Sequence, residues 1–276
     1  LYNDYQAAKK LKNKIDAWII CSKWEELSFA LKTFVKFKKP LLIEKSIVMS
    51  SKSLSTFFGN KKNNKSKVFF AYNRNYFDYI FFLINKIKNK NSLKYIDARF
   101  YDSYSRIIKS KGNTLKKYLP YYITSHWVIF ILKIFSLLNI KVLKVEKKKL
   151  FNNNKFNSVK ILFKLKFKNR IIFTSFLNAP DVPKNHVIDF YLKKGHIKIS
   201  PIEKLAIYKD LEVKKKNKQN MYVQKTQFLK VNSKYKPGLR FLYYSFIKEN
   251  FFKEKSLLKT DHNDLIGAYK ICELLN

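Results

Sequence analysis

Apolar positions fall at helical spacing over Trp127, Ile131, Ile134, Phe135 and Leu138, behind the capping types Thr124 and Ser125, which predicts a helix of about three turns. Asn139 is a stop signal. Beyond it Ile140, Val142 and Val145 alternate with lysines, and Val159, Ile161, Phe163, Leu165 and Phe167 repeat the alternation. A period of two with one lysine face predicts an antiparallel hairpin with a basic surface. The stretch from Tyr122 to Lys168 is therefore a capped helix feeding a hairpin, and the remainder of the chain is arranged around it.

Upstream, Leu11, Ile15, Trp18 and Ile19, then Leu27, Ala30, Leu31 and Phe34, recur at helical spacing up to Pro40, so residues 1–39 are expected to be helical. A strand-like Ile-Val-Met run follows, and the Ser-, Asn- and Lys-rich stretch from Gly59 to Lys67 reads as a linker. Val68 to Tyr72 reads as a strand. Phe77, Ile80, Phe81, Ile84 and Ile87 mark an amphipathic helix with Lys86, Lys88 and Lys90 at its C-terminal end, where the helix dipole favours cations. Arg170–Phe176 is expected as a strand, Glu203–Leu211 as a short helix, Lys214 onwards as a solvated basic loop, and Phe241–Phe246 and Tyr269–Leu275 as strands. The fold class is therefore α+β: two small α+β domains (helix–strand–helix–hairpin, then mostly β) behind a helical N-terminal extension. The expected boundaries are 1–67, 68–180 and 181–276.

Charge changes the picture. Of 276 residues, 58 are Lys or Arg and 19 are Asp or Glu, a formal net charge of +39. Self-repulsion on that scale opposes compaction unless a polyanion offsets it, and nucleic acid is the usual one. Apolar residues make up 46%, too many for a disordered basic tail. The abundance of Lys, Asn, Ile, Phe and Tyr with only 5 glycines points to an AT-rich gene, so part of the lysine excess reflects codon bias. Cys21 and Cys272 are too few for a disulfide framework, and His126, His186, His196 and His262 have no metal-ligand spacing, so no metal or other cofactor is expected. The longest apolar run, Trp127–Leu138, is broken by Lys133 and is shorter than the roughly 20 residues that span a bilayer, so no transmembrane segment is expected.

Short motifs in order then carry a resemblance. Ile123-Thr124-Ser125-His126 stands at the helix entry and Asn139-Ile140-Lys141 at its exit. Gly238-Leu239-Arg240-Phe241 leads to Ser245, followed by Thr260-Asp261 and by Gly267-Ala268-Tyr269-Lys270-Ile271-Cys272. Together these resemble small-subunit ribosomal protein eight over roughly residues 76–276. Gly195-His-Ile-Lys-Ile-Ser200 matches that family's link into its second domain; an alternative register places the link at Lys236-Pro-Gly238-Leu-Arg240. The Pro before the family's helix is Ile123 here, the Lys after its serine is His126, and its Ser-Thr-Ser-Lys-Gly turn survives only as Ser245.

The resemblance implies a structural, non-enzymatic constituent of a mitochondrial small ribosomal subunit. Its implied partners are small-subunit rRNA (the central domain) and neighbouring ribosomal proteins, with no small-molecule substrate. Hydroxyls of Thr124, Ser125 and Ser245 would meet RNA, and Lys88, Lys90, Lys164, Lys166, Arg240, Lys255 and Lys259 would bind phosphate. An intron-encoded endonuclease or maturase is the first alternative, with Asp261 and Asp264 as its nearest metal ligands. A peripheral subunit of an inner-membrane complex, motivated by the aromatic helices, is the second.

Overall fold

The computed structural model describes every residue except 1–4, 12, 61–62, 64–66, 91–92, 153–156, 202, 217–218, 231–235 and 276. Three short apolar runs form strands β1 (Trp18–Ile20), β2 (Leu41–Ile43) and β3 (Val68–Phe70). They pair in parallel in the order β1-β2-β3. β2 (Leu-Leu-Ile) and β3 (Val-Phe-Phe) are buried at every position. Unbroken apolar runs suit parallel strands covered on both faces, where alternation would place polar groups in the core. Helix α1 (Tyr5–Leu11) precedes this sheet. Helix α2 (Trp24–Phe34) carries the crossover from β1 to β2, and α3 (Ser51–Gly59) the crossover from β2 to β3. Ser50 caps α3 by accepting from the Ser53 N–H.

The second sheet has eight strands in the order β11-β10-β9-β8-β4-β7-β6-β5. They are β4 (Leu93–Phe100), β5 (Lys141–Asn152), β6 (Asn157–Phe167), β7 (Arg170–Asn178), β8 (Val187–Leu192), β9 (His196–Ile199), β10 (Lys204–Lys216) and β11 (Gln219–Lys230). Only β4 and β7 pair in parallel; every other pair is antiparallel. On β6, Val159, Ile161, Phe163, Leu165 and Phe167 face the core while Lys164 and Lys166 face solvent. Between β3 and β4 runs α4 (Tyr79–Lys90). After β4 come α5 (Tyr104–Lys111), a π-helical turn at Pro120–Thr124, and the buried helix α6 (Ser125–Leu137). Two C-terminal helices, α7 (Leu239–Phe251) and α8 (His262–Leu274), return to the first sheet, where α8 packs on α3, α6 and β3.

The helix at 125–137, the strands β6 and β7, and the helix with Lys88 exposed near its end follow the periodicity; β5 is a strand as expected, but Val142 and Val145 lie open to solvent along with the lysines, so it is not half-buried. Asn139, at φ +56°, is the stop. The fold class does not follow it. Strands expected in two separate small domains lie side by side in one eight-stranded sheet, because β7 pairs with β4 and β8 pairs with β4 on its other side. Residues 1–39 contain β1 as well as helices, so Trp18 and Ile19 are in a strand. Glu203–Leu211 is no helix, since β10 is held between β9 and β11. Phe241–Phe246 and Tyr269–Leu275 are no strands: they lie in helices whose buried residues, Leu242 with Phe246 and Leu265 with Ala268, Tyr269 and Cys272, recur every three or four positions. Most of the expected linker lies outside the described residues. Neither glycine considered as an interdomain link serves as one. Gly195 turns β8 into β9, and Gly238, at φ +75°, begins α7 against the Asn73 carbonyl.

Candidate functional site

In an open parallel sheet, ligands bind beyond the carboxyl ends of the strands. Here those ends carry the charged residues. β2 runs directly into Glu44 and Lys45; β3 runs into Ala71-Tyr72-Asn73-Arg74. The N-terminal turn of α6 brings Ser125 and His126 to the same place, and β4 ends at Phe100, two residues before Asp102.

Asp102 organises the back of this cluster. Its side chain is fully enclosed and accepts from Thr124 Oγ1 at 2.6 Å and from Trp127 Nε1 at 3.2 Å. Tyr104 OH lies 2.8 Å from Thr124 Oγ1 and accepts from Asn178 Nδ2 at 3.1 Å. His186 Nδ1 accepts from the Tyr101 N–H at 3.0 Å, with Nε2 3.6 Å from Asp102 Oδ1. Burial raises the Asp102 pKa above the usual carboxylate value; the two donors and the Arg74 charge oppose that rise.

Arg74 lies with its guanidinium 3.7 Å from the Trp127 ring centroid, a cation–π contact that holds it in place. Burial lowers its pKa to about 10, with the charges of Asp102 and Glu203 working the other way, so it stays cationic at neutral pH. Its Nη1 is buried without a hydrogen-bond partner. His126 is buried, its ring edge-on to Tyr72 at 5.2 Å, and its Nδ1 also lacks a partner. Burial, reinforced by the charges of Lys45, Arg74 and Lys236, pushes the His126 pKa well below its ordinary value and keeps the imidazole neutral. Burial and the Arg74 charge lower His186 to about 4. Lys45 is half-buried; desolvation brings its pKa down to about 8, Lys236 and Arg74 push the same way, and adjacent Glu44 opposes them. The result is an amine that titrates close to neutrality beside a neutral imidazole and an arginine, with two buried polar atoms awaiting partners. That combination can move a proton and hold an oxygen.

The residues expected to touch RNA are not gathered here as a surface. Thr124 and Ser125 are completely buried. Thr124 hydrogen-bonds Asp102, and Ser125 Oγ donates to the Tyr121 carbonyl at 2.6 Å, 3.3 Å from Tyr72 OH. Neither side chain caps α6, whose first turn continues from the π-helical turn. Lys88 is exposed near the end of α4, and Lys90 ends that helix. Lys164 and Lys166 project from the outer face of β6, and Arg240 is exposed on α7. Ser245 and Lys255 line a separate cavity, and Lys259 pairs with Glu249 at 2.8 Å. Asp261 and Asp264, the suggested nuclease ligands, form the capping box of α8, and Asp264 also takes Lys133 Nζ at 2.7 Å. Sequence reasoning passed over Lys45, Arg74 and Asp102. For Lys45 and Arg74 the available signal was a charged residue two and four positions after a short, wholly apolar run, where parallel strands end; β4, before Asp102, carries Lys94, Asp97 and Arg99 and gives no such run.

No protein-family model matches the sequence, and a search of curated proteins finds no relative. Solved structures do match in shape. UDP-N-acetylglucosamine 3-dehydrogenase GnnA from Acidithiobacillus ferrooxidans aligns over 97% of this chain and 80% of its own, with a TM-score of 0.67 and 10% identity. An inositol dehydrogenase homolog complexed with NAD+ from Azotobacter vinelandii aligns over 99% and 79%, with a TM-score of 0.71 and 10% identity. The transcriptional regulator Gal80p from Kluyveromyces lactis aligns over 98% and 73%, with a TM-score of 0.67 and 15% identity. This chain shares the fold of these proteins. The likeness to ribosomal protein eight is thereby overturned, and with it the reading as a structural rRNA binder, the exclusion of an enzyme, the exclusion of small-molecule substrates, and the nuclease alternative. The motifs that carried it fall on a helix, a helix start and a helix cap of an unrelated architecture. The membrane-subunit alternative loses its motive too, because the Phe77 and Trp127 helices pack in the core; among the described residues no helix is long and apolar enough to cross a membrane.

The inositol dehydrogenase homolog among these structures holds NAD+. A pyrophosphate needs a glycine-rich turn between a parallel strand and the following helix. The turns after the described strands are Cys21-Ser22-Lys23 after β1, Glu44-Lys45-Ser46 after β2 and Ala71-Tyr72-Asn73 after β3, and none contains glycine. That part does not fit.

Proposed function

We propose that the chain is the reacting portion of a nicotinamide-dependent oxidoreductase acting on a small polyhydroxylated molecule. The observation that carries this reading is Lys45. It is an amine brought to about 8, set at the carboxyl end of a parallel strand beside a neutral imidazole. Lys45 in its neutral form takes the proton of the reacting hydroxyl as that alcohol becomes a carbonyl, and returns it in the reverse direction. His126 Nδ1 and Arg74 Nη1, both buried and unpartnered, orient the substrate: the imidazole accepts from or donates to a neighbouring hydroxyl, and the guanidinium donates to an oxygen. Asp102 holds Arg74 in place through charge and Trp127 through a hydrogen bond. Hydride acceptance would be supplied by a nicotinamide, for whose pyrophosphate the described turns offer no glycine-rich cradle. The named dehydrogenases that share the fold are a nucleotide-sugar dehydrogenase and an inositol dehydrogenase homolog, which supports cyclic polyols and sugars as the first candidates to try.

A second reading is favoured by the glycine-free turns: a ligand-binding protein without turnover, as the fold's occurrence in a transcriptional regulator allows. A panel of inositols, aldoses and nucleotide sugars, incubated with oxidised nicotinamide and followed by the absorbance of the reduced ring, separates the two. Turnover that falls by about 10²- to 10⁴-fold in Lys45→Met supports the oxidoreductase. Binding of a sugar by calorimetry with no reduced nicotinamide formed would overturn it in favour of the regulator.

A further inference from the structure

A cavity of about 550 Å³ lies apart from the Lys45 site, between the start of α4, the outer face of α7 and the loop from Glu254 to Leu258. Its walls are apolar and largely aromatic. Phe81, Phe241 and Leu257 line it with half or more of their surface open, an unusual exposure for side chains of that size. Its polar groups are gathered in one place. Tyr76 is 2% exposed, its hydroxyl has Ser245 and Ser256 as polar neighbours, and no hydrogen bond of good geometry satisfies it. A buried hydroxyl left without a partner is destabilising, so a ligand atom that reaches it gains a hydrogen bond without displacing one. Charges on the cavity lining cancel: Lys248 is paired with Glu254 at 2.7 Å, leaving Asp78 against Lys255.

We propose that this cavity is a binding site for a neutral, flat, mostly apolar molecule carrying one hydroxyl or carbonyl. The ring system lies between Phe81 and Phe241, and the polar group meets Tyr76, Ser245 and Ser256. Its volume is in the range of small-molecule sites, which combine apolar walls with a few fixed polar atoms. The balanced lining gives no attraction to an anion despite the chain's overall positive charge. The site depends on neither alcohol oxidation nor a dinucleotide, so it stands or falls apart from the proposed function.

The test uses the full chain and a matched pair of probes, 1-naphthol and naphthalene, with 1-naphthoate as the charged control, by equilibrium dialysis. The expected result is that naphthol binds about 3- to 10-fold more tightly than naphthalene, as one hydrogen bond allows. Tyr76→Phe should erase that difference while leaving naphthalene unchanged, and Phe81→Ala should weaken both. Ser245→Ala serves as the second polar variant if Tyr76→Phe fails to fold. Equal affinity for the two probes, no binding of either, unchanged binding in Phe81→Ala, or tightest binding of naphthoate would each overturn the proposal.

Discussion

The protonation of Lys45 is the property on which the chemistry turns. An ordinary lysine at 10.5 is neutral in only about one molecule in three thousand at pH 7, whereas one at about 8 is neutral in roughly one in ten. Burial therefore enlarges the population of usable base about 300-fold before any substrate arrives. The perturbation is to change the two exposed influences in opposite senses. Glu44→Gln removes the anion that favours the charged amine and should move the midpoint below 8; Lys236→Gln removes a repelling cation and should move it up. Competitive labelling with fluorodinitrobenzene, quantified by mass spectrometry of the Lys45 peptide across a pH series, reads the midpoint without requiring activity. A wild-type midpoint near 10.5, or a shift in the same direction in both variants, would refute the reasoning. If the oxidoreductase reading holds, alcohol oxidation should rise through the same midpoint, because the neutral amine is the base.

Acid should destabilise the fold in a related way. His126 and His186 are held neutral, so between about pH 6.5 and 4 the unfolded chain binds protons that the folded chain cannot, and stability falls as pH falls through that window. His186→Gln should reduce the drop in Tm over that range. Asp102→Asn presents one acceptor to two donors and removes the anion facing Arg74; a loss of about 1–3 kcal/mol is expected, which differential scanning would register as a Tm decrease of roughly 2–12 °C. Gly238→Ala would put a methyl carbon 2.0 Å from the Asn73 carbonyl oxygen at a left-handed φ, so urea unfolding should show at least about 2 kcal/mol lost. In native protein a thiol reagent should modify one cysteine per chain, the exposed Cys21, because Cys272 is buried and its thiol is pushed well above the usual range; two modified per chain would contradict the packing of α8.

Regular alternation and helical spacing made α4, α6, β6 and β7 legible in the sequence, whereas β5 was legible as a strand but not in its exposure on both faces. What could not be read was how they associate, because pairing of β4 with β7 and β8 is a long-range choice that local pattern does not encode. Short strands were harder. Trp18–Ile20 has three residues, too few to show a period, and its apolar positions also fit the helical series around it. The C-terminal helices were misread where brief motif matches outweighed the three- and four-residue spacing of Leu265, Ala268, Tyr269 and Cys272. The lysine excess misled for a physical reason as well: an outward strand position accepts lysine at little cost, so Lys164 and Lys166 record exposure without specifying a partner. The site itself is carried by Lys45 and Asp102 in loops and Arg74 in a single 3-10 turn, and segments so short leave no periodic trace.

The C-terminal helix has a consequence for the order in which the molecule becomes competent. Glu273 accepts from the Ser51 N–H and hydroxyl at 2.6 and 2.7 Å across 222 positions of chain, and Tyr269 OH donates to the Ile47 carbonyl at 2.8 Å. Both contacts fasten the segment immediately after Lys45. Lys45 is therefore synthesised long before the helix that fixes its loop. A nascent chain that stops short of α8 thus holds every side chain of the cluster and still lacks the contacts that fix the site.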